Sequence, residues 1–147
     1  MKTRLTAIAW LLCAAALPAK PHTPAPGTAE RTAICDAMRE YVIAANKKQL
    51  AHSFLFKVEF MRVDGDYAGF EGFPVKADGS PLPDGMLADV VYTTFLRKKN
   101  GVWQVIRDLS RSDVPDAAEI REIRKNFPAD FPSSAMPPYW RKLLRQS

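Results

Sequence analysis

The sequence lacks the residues on which several common protein classes depend. Its 147 residues include two cysteines and two histidines. Of the two histidines, only His52 belongs to the predicted folded part. One Cys and one His cannot supply the usual three or four ligands of a zinc site. Ser-His-Asp or Cys-His catalysis needs a positioned histidine, and Cys35 and His52 would meet only by tertiary accident. We therefore expect no metal and no cofactor.

A long apolar run is also missing. No stretch reaches the roughly 18 uninterrupted apolar residues of a spanning helix. The first 19 residues instead have the pattern of a cleaved export signal: Lys2 and Arg4, an apolar run from 5 to 17, and then small residues. We expect cleavage after Ala19, with Ala16 as the alternative. A retained membrane anchor is disfavoured because the run is short.

Cleavage changes the charge and the cysteine count. It removes two basic residues and no acid from a chain of net charge +5, so the mature chain is mildly basic and requires neither nucleic acid nor membrane. Cys13 follows Leu12 rather than a small residue, so lipidation is not expected. Cys35 remains alone, as an intermolecular link, a free thiol or, our preference, a buried apolar side chain.

An amphipathic helix is predicted from 29 to 45, with Thr28 as its N-cap. The preceding residues 20–28 contain three prolines and predict a linker in which His22 is solvated. The apolar stripe of the helix recurs at three- and four-residue spacing and consists of Ile34, Met38, Tyr41, Val42 and Ala45.

Two strands follow, over 53–63 and 67–75. The second contains Gly69 and Gly72, which indicate a bulge or the close approach of another element. Strict alternation in the first strand predicts one core-facing row, formed by Phe54, Phe56, Val58 and Phe60.

The strongest local signal is the dipeptide Asn100-Gly101 between two strands rich in β-branched and aromatic residues. A two-residue turn would pair Lys99 with Val102, whereas a three-residue turn with a bulge would pair Lys98 with Val102. Both faces of this hairpin carry large apolar residues, so we expect both faces of the sheet to be covered. Trp103 is expected in the core.

Residues 113–147 predict a helical extension packed on the same sheet. Asp113 is the expected N-cap, Pro115 lies in the first turn and Pro128 ends the helix. The extension would cover the sheet face that the first helix cannot reach, through Ile120, Ile123, Phe127, Trp140, Leu143 and Leu144.

The order of helix, four-stranded antiparallel meander and C-terminal helices defines an α+β fold. We divide the chain into a signal peptide (1–19), a linker (20–28), a sheet domain (29–112) and the extension (113–147). The order is similar to that of the cystatin-like and NTF2-like folds.

Several motifs resemble a set of small bacterial proteins with signal peptides and no established activity. These are AICDAMR at 33–39, RVDGDYAGFEGFP at 62–74, ADGS at 77–80, FLRKKNGVWQV at 95–105 and SDV at 112–114. The resemblance implies export and the same fold, and it brings no catalytic residues. Relatives commonly have Gly-Pro-Thr-Asp after the last strand, where this chain has Ser110-Arg111-Ser112-Asp113, and they often end soon afterwards.

Four residues are the candidate ligand- or partner-binding site: Arg107, Arg111, Asp113 and Trp140. Arg107 interrupts an apolar strand, so it either binds an anionic ligand or pairs with Asp108 or Asp113. Trp140 lies in a basic tail that either contacts an acidic surface or docks on the domain. The acidic pairs in turns and caps, and Asp78 with Asp84, are interpreted as turn chemistry, because no Glu closes a calcium loop.

These observations favour an exported, non-catalytic binding module for a partner protein or small ligand. The alternative is a small pocket enzyme or ligand binder of the NTF2-like type, which depends on fold analogy alone. Export and the small basic patch make nucleic acid an unexpected partner.

Overall fold

The computed structural model of the chain describes residues 20–46, 53–83, 90–111 and 113–145. Its elements are α1 (Ala29–Ala45), β1 (Leu55–Asp64), β2 (Tyr67–Val75), β3 (Tyr92–Lys99), β4 (Val102–Asp108), α2 (Ala117–Asn126), a 3-10 turn (Ser133–Ala135) and α3 (Pro138–Arg145). The strands form one antiparallel sheet in the order β1-β2-β3-β4. The α+β class expected from the sequence is therefore confirmed.

Helix α1 has the bounds and the cap that the sequence predicts. Thr28 precedes it in an extended conformation, and its side-chain oxygen accepts a hydrogen bond from Arg31 N at 3.4 Å. The N-cap satisfies one of the backbone N–H groups that a helix start leaves unpaired. Ile34, Met38 and Val42 have no exposed surface and Tyr41 is partly buried, so these members of the predicted stripe face the sheet, whereas Ala45 is exposed.

The β3–β4 hairpin adopts the first of the two registers. Lys99 pairs with Val102, which leaves Asn100 and Gly101 as a two-residue turn with φ angles of 52° and 79°. Positive φ at both positions is the requirement of a type I′ turn, which Asn and Gly meet at little cost.

Strand β1 departs from regular alternation. A bulge at Glu59 separates Val58 from Phe60 in the register with β2. Because the bulge shifts the facing by one residue, Phe60 lies on the opposite face from Val58, near Gly69. The prediction that both belong to one row was wrong for Phe60, and Met61, only 3% exposed, takes the core position.

We call the side of the sheet that contacts α1 the first face. Trp103, 4% exposed, lies on it with Val105 beside it, which confirms the prediction that this ring is core. The buried members of this cluster are Ile34, Met38, Val42, Phe54, Met61, Val63, Ala68, Phe70, Leu82, Tyr92, Leu96 and Trp103.

We call the opposite side the second face. Phe95 at its centre is fully buried, and its ring meets that of Phe131 edge-on at 5.1 Å between centroids. Ile123 and Phe127 are partly buried against the same cluster, whereas Ile120 is not part of it. The buried members come from β3 and from the chain after β4: Phe95, Leu109, Phe131, Ala135, Met136 and Trp140.

Polar contacts attach residues 130–135 to the second face. Tyr67 donates a hydrogen bond to Asp130, and Ser134 donates one to Asp64. The carbonyl of Ala135 lies so close to Gly69 that a Cβ there would overlap it. The close approach expected at this glycine is therefore present, and it requires the absence of a side chain.

Helix α2 begins later than predicted. Its N-cap is Asp116 rather than Asp113, and Asp116 accepts hydrogen bonds from Ala118 N at 2.8 Å and Glu119 N at 2.9 Å. The Glu119 carboxylate accepts one in return from Asp116 N, which completes a capping box. The Asp113 prediction was wrong because a Glu three residues after Asp116 makes the better cap, and Asp113 is left outside the helix.

The segment expected as a linker is attached to the domain. His22 exchanges two backbone hydrogen bonds with Val63, at 2.9 and 2.8 Å, and its ring contacts the Glu30 carboxylate at 2.7 Å. The predicted leader 1–19, His52, Asp84 and Ser112 lie outside the described residues. Within the described ranges, no helix has the length and apolar character required to span a membrane.

Candidate ligand-binding groove

Three of the four predicted site residues line one cavity. Arg111, Asp113 and Trp140 enclose about 240 Å³ on the rim of the second face. We call this cavity the groove. Its other polar or aromatic lining residues are Glu71, Thr93 and Tyr139, and its aliphatic ones are Val91, Val114 and Pro115. The sequence positions are up to 69 apart, so only the fold brings them together.

The sheet supplies one wall of the groove. Glu71 on β2 is directly opposite Thr93 on β3, and side chains of such a pair lie on the same face. The chain after β4 continues this wall, because Val91 forms a β-bridge with Arg111 and Leu109 N donates to Thr93 O at 2.9 Å. The wall is thus held by backbone hydrogen bonds rather than by side chains alone.

The start of α3 supplies the facing wall. Trp140 is 3% exposed and belongs to the aromatic cluster of the second face, whereas Tyr139 is 46% exposed. Their rings meet edge-on at 5.5 Å between centroids. The buried indole therefore anchors the helix, and the neighbouring phenol is presented at the surface.

Glu71 is the unusual charge of the groove. It lies on a central strand, is half-buried, and its one hydrogen bond within the described residues is a long one of 3.4 Å from the Thr93 hydroxyl. Burial raises the pKa of the Glu71 carboxyl above its ordinary value of 4.5, and the Thr93 hydrogen bond opposes that rise. Among the described residues, no Lys, Arg or His forms an ion pair with Glu71.

Arg111 already has a carboxylate partner. One of its terminal guanidinium nitrogens donates to Glu119 at 3.2 Å, and the other is buried without a hydrogen-bond acceptor in the described structure. The side chain also borders a second cavity of about 260 Å³ that contains Glu119 and Glu122. Its positive charge is therefore shared with acidic neighbours outside the groove.

Asp113 and Trp140 have groups without partners. Asp113 is exposed, and no hydrogen bond or ion pair joins its carboxylate to another described residue. The indole N–H of Trp140 has no acceptor there either, although it is not wholly covered. A buried indole N–H usually has a hydrogen-bond partner.

Arg107 is not a lining residue of the groove. It lies opposite Phe95 on β4, half-buried, and its Nε has no acceptor within the described residues. Neither ion pair considered from the sequence, with Asp108 or with Asp113, is present among those residues. Asp108 instead accepts hydrogen bonds from Tyr41 at 2.8 Å and from Ser110. The fold thus separates Arg107 from the other three site residues.

Sequence reasoning did not include Glu71, Thr93 or Tyr139 in the candidate site. A signal for Glu71 was present, because it is the one acid in the glycine- and phenylalanine-rich stretch 69–73. A charge in such a stretch is costly on a central strand and needs a reason. Thr93 and Tyr139 carry no comparable signal, since their role depends on which elements meet.

The other described cavities contain fewer of the predicted site residues. A cavity of about 490 Å³ lies beside the exposed Ile43 and Leu55, and its charged lining includes the ion pair of Arg39 with Asp36. In the part of the chain that the structure describes, no three His, Cys, Asp or Glu side chains are close enough to hold a metal ion.

Comparison with known proteins gave no relative. No family model matches the chain, and neither a curated protein nor a solved structure is detectably similar to it.

Proposed function

We propose that this protein is an exported, non-catalytic binding module and that the groove is its binding site. One observation carries the proposal: Arg111, Asp113 and Trp140 line one cavity together with the half-buried carboxylate of Glu71. Convergent polar groups with a perturbed pKa in a concave site are the usual marks of a binding pocket. The lining supplies charge, hydrogen bonds and aromatic contact, which hold and orient a ligand.

The size of the groove limits what it binds. About 240 Å³ is below the roughly 300–1,000 Å³ of sites for drug-sized ligands. A small molecule, or one residue of a partner protein, fits this volume. The space between α1 and the sheet is occupied by core side chains, so an NTF2-like pocket enzyme with its site on that face is the less favoured reading.

Fragment binding followed by amide chemical shifts tests the site. With the mature protein and a mixed fragment set at about 1 mM each, we expect shift changes concentrated at 91–93, 111–114 and 139–140. Val114→Trp should abolish them, because Val114 is 82% exposed at the groove and a larger ring would fill it. Val102→Trp, at an exposed valine on the hairpin, is the matched control and should bind normally.

The proposal fails if no fragment binds, or if the shift changes map to the cavity beside Ile43 and Leu55. Export is tested separately. Mass spectrometry of the protein from an extracellular or periplasmic fraction should show a new amino terminus near Lys20 or Leu17. An intact Met1 on soluble cytoplasmic protein would contradict export without affecting the groove.

A further inference from the structure

The unpaired groups of the groove form a matched set of acceptors and donors. On the acceptor side, Glu71 and Asp113 carry carboxylates with no cationic partner among the described residues. On the donor side, Trp140 has an indole N–H with no acceptor there, in a side chain that is 3% exposed, and one terminal guanidinium nitrogen of Arg111 is buried without an acceptor in the described structure. A ligand that satisfies both sides must combine a positive donor with a hydrogen-bond acceptor.

The charge balance of the groove disfavours an anion. Arg111 is the one cation among the lining residues, and Glu119 already accepts a hydrogen bond from it. Glu71 and Asp113 would repel a second carboxylate or a phosphate at short range. The groove thus carries an excess of negative charge on a chain of net charge +5.

We propose that the groove binds a primary ammonium with a neighbouring carbonyl oxygen, the two groups found together at the amino terminus of a peptide. This inference rests on the groove being the binding site. The ammonium donates to Glu71 and Asp113, and the carbonyl accepts from Trp140. An ammonium has three donors and no acceptor, so it matches two carboxylates.

The remaining lining suits the same ligand. The exposed ring of Tyr139 attracts a cation near its face. Val91, Val114 and Pro115 provide apolar contact for a small side chain. Binding also relieves a cost in the free protein, since a half-buried carboxylate is stabilised when a cation joins it. A free amino acid has the same ammonium but adds a carboxylate, which the negative groove opposes.

Four probes separate the contributions of the two groups: L-alanine amide has both, N-acetyl-L-alanine amide lacks the ammonium, propylamine lacks the carbonyl, and L-alanine adds a carboxylate. Measured by chemical shift titration, L-alanine amide should bind at least roughly tenfold more tightly than the acetylated probe, because charge-assisted hydrogen bonds are lost. Propylamine and L-alanine should each be several-fold weaker than L-alanine amide. The dipeptide amide L-Ala-L-Ala-NH₂ should bind at least as well as L-alanine amide, which identifies the peptide terminus as the source.

Variants assign the roles. Glu71→Gln should weaken the binding of L-alanine amide roughly tenfold. Glu40→Gln removes an exposed carboxylate on α1 and should leave this affinity unchanged. Trp140→Phe removes the N–H and keeps an aromatic ring. It should therefore weaken the binding of L-alanine amide but leave the affinity for propylamine unchanged. If Trp140→Phe melts early, the Glu71→Gln comparison carries the test alone.

The pH dependence provides a second readout. Protonation of Glu71 removes the charge that pairs with the ammonium. Because burial raises the pKa of Glu71, acidification should weaken the binding of L-alanine amide at a higher pH than it would if this carboxyl had the ordinary pKa of a Glu. Glu71→Gln should lack this step. Equal binding of the acetylated and free probes, or tighter binding of anionic fragments, overturns the inference and leaves the groove as a binding site. If no probe and no fragment binds there, the proposed function fails as well.

Discussion

The two faces of the sheet are covered in different ways. The first face contacts one helix through an apolar cluster, and Thr94, which donates to the Met38 sulfur at 2.8 Å, is its buried polar side chain. The second face is covered by a segment that includes a 3-10 turn, and it carries charged side chains as well as aromatic rings. Arg62 lies opposite Gly69, and Arg107 opposite Phe95, so both arginines are on this face.

The difference supports our proposal that the second face is the binding face, whereas the first face serves stability. An apolar face buried by a helix with a regular stripe gains free energy without polar desolvation. Half-buried groups such as Glu71, Arg62 and Arg107 cost free energy, and their hydrogen bonding is incomplete within the described residues. Proteins often carry such costs at functional sites. This contrast is why we assign binding to the second face, and the following changes test it.

Removal of the C-terminal cover should have the largest effect. Truncation after Ser112 deletes Phe131, Met136 and Trp140, each of which contributes roughly 1.5–3 kcal/mol by burial before ordering costs. We expect a lower denaturation midpoint in urea, hydrophobic dye binding and self-association through the uncovered Phe95. A truncated protein that melts like the full chain and stays monomeric would show that the extension is not part of the fold, and its basic tail would become the leading binding element.

Trp103→Ala tests the first face. The substitution should lower the free energy of unfolding by about 3–5 kcal/mol, because the ring is 4% exposed in a packed core. Urea denaturation measures this loss. Fragment binding in the groove should persist wherever the variant remains folded, because Trp103 lies on the other side of the sheet. A variant with unchanged melting and no binding would assign Trp103 to the site instead.

Gly69→Ala tests the contact between the sheet and its C-terminal cover. The new methyl would overlap the Ala135 carbonyl and lie 3.3 Å from the Phe60 ring, so we expect a loss of about 1–3 kcal/mol with dye binding. Gly72→Ala is the matched comparison on the first face, where a Cβ would meet Lys57 O at 2.8 Å. It should destabilise β1 without dye binding at the second face. Equal dye binding by both variants would contradict the assignment of Gly69 to the cover.

Glu71→Gln should have the smallest effect, and it should be stabilising. The folded state raises the pKa of Glu71 above 4.5, so the wild-type protein loses stability as pH rises from that value through the raised pKa. The Gln variant escapes this loss, and its gain at neutral pH should be below about 1 kcal/mol. Thermal melting of both proteins from acidic to neutral pH measures the difference. A destabilised Gln variant at neutral pH would mean that the charge is structural.

Features governed by neighbouring residues were predictable from the sequence. The Asn100-Gly101 turn, the bounds of α1 and the Thr28 cap depend on backbone conformations and short-range hydrogen bonds that those residue types favour. The choice between the two hairpin registers remained open, because both turns suit the same dipeptide. The start of α2 was misplaced because both Asp113 and Asp116 can cap a helix, and only the pairing with Glu119 distinguishes them.

The sequence by itself determined the α+β order, one helix and one tight turn, because each depends on contacts within a few residues. Only the tertiary structure decided the bulge at Glu59, which moved Phe60 to the second face. It also decided the contact of Gly69 with Ala135 and the meeting of Glu71, Asp113 and Trp140 in one groove. Those features depend on the free energy of packing segments far apart in the chain, and no local pattern encodes which segments meet.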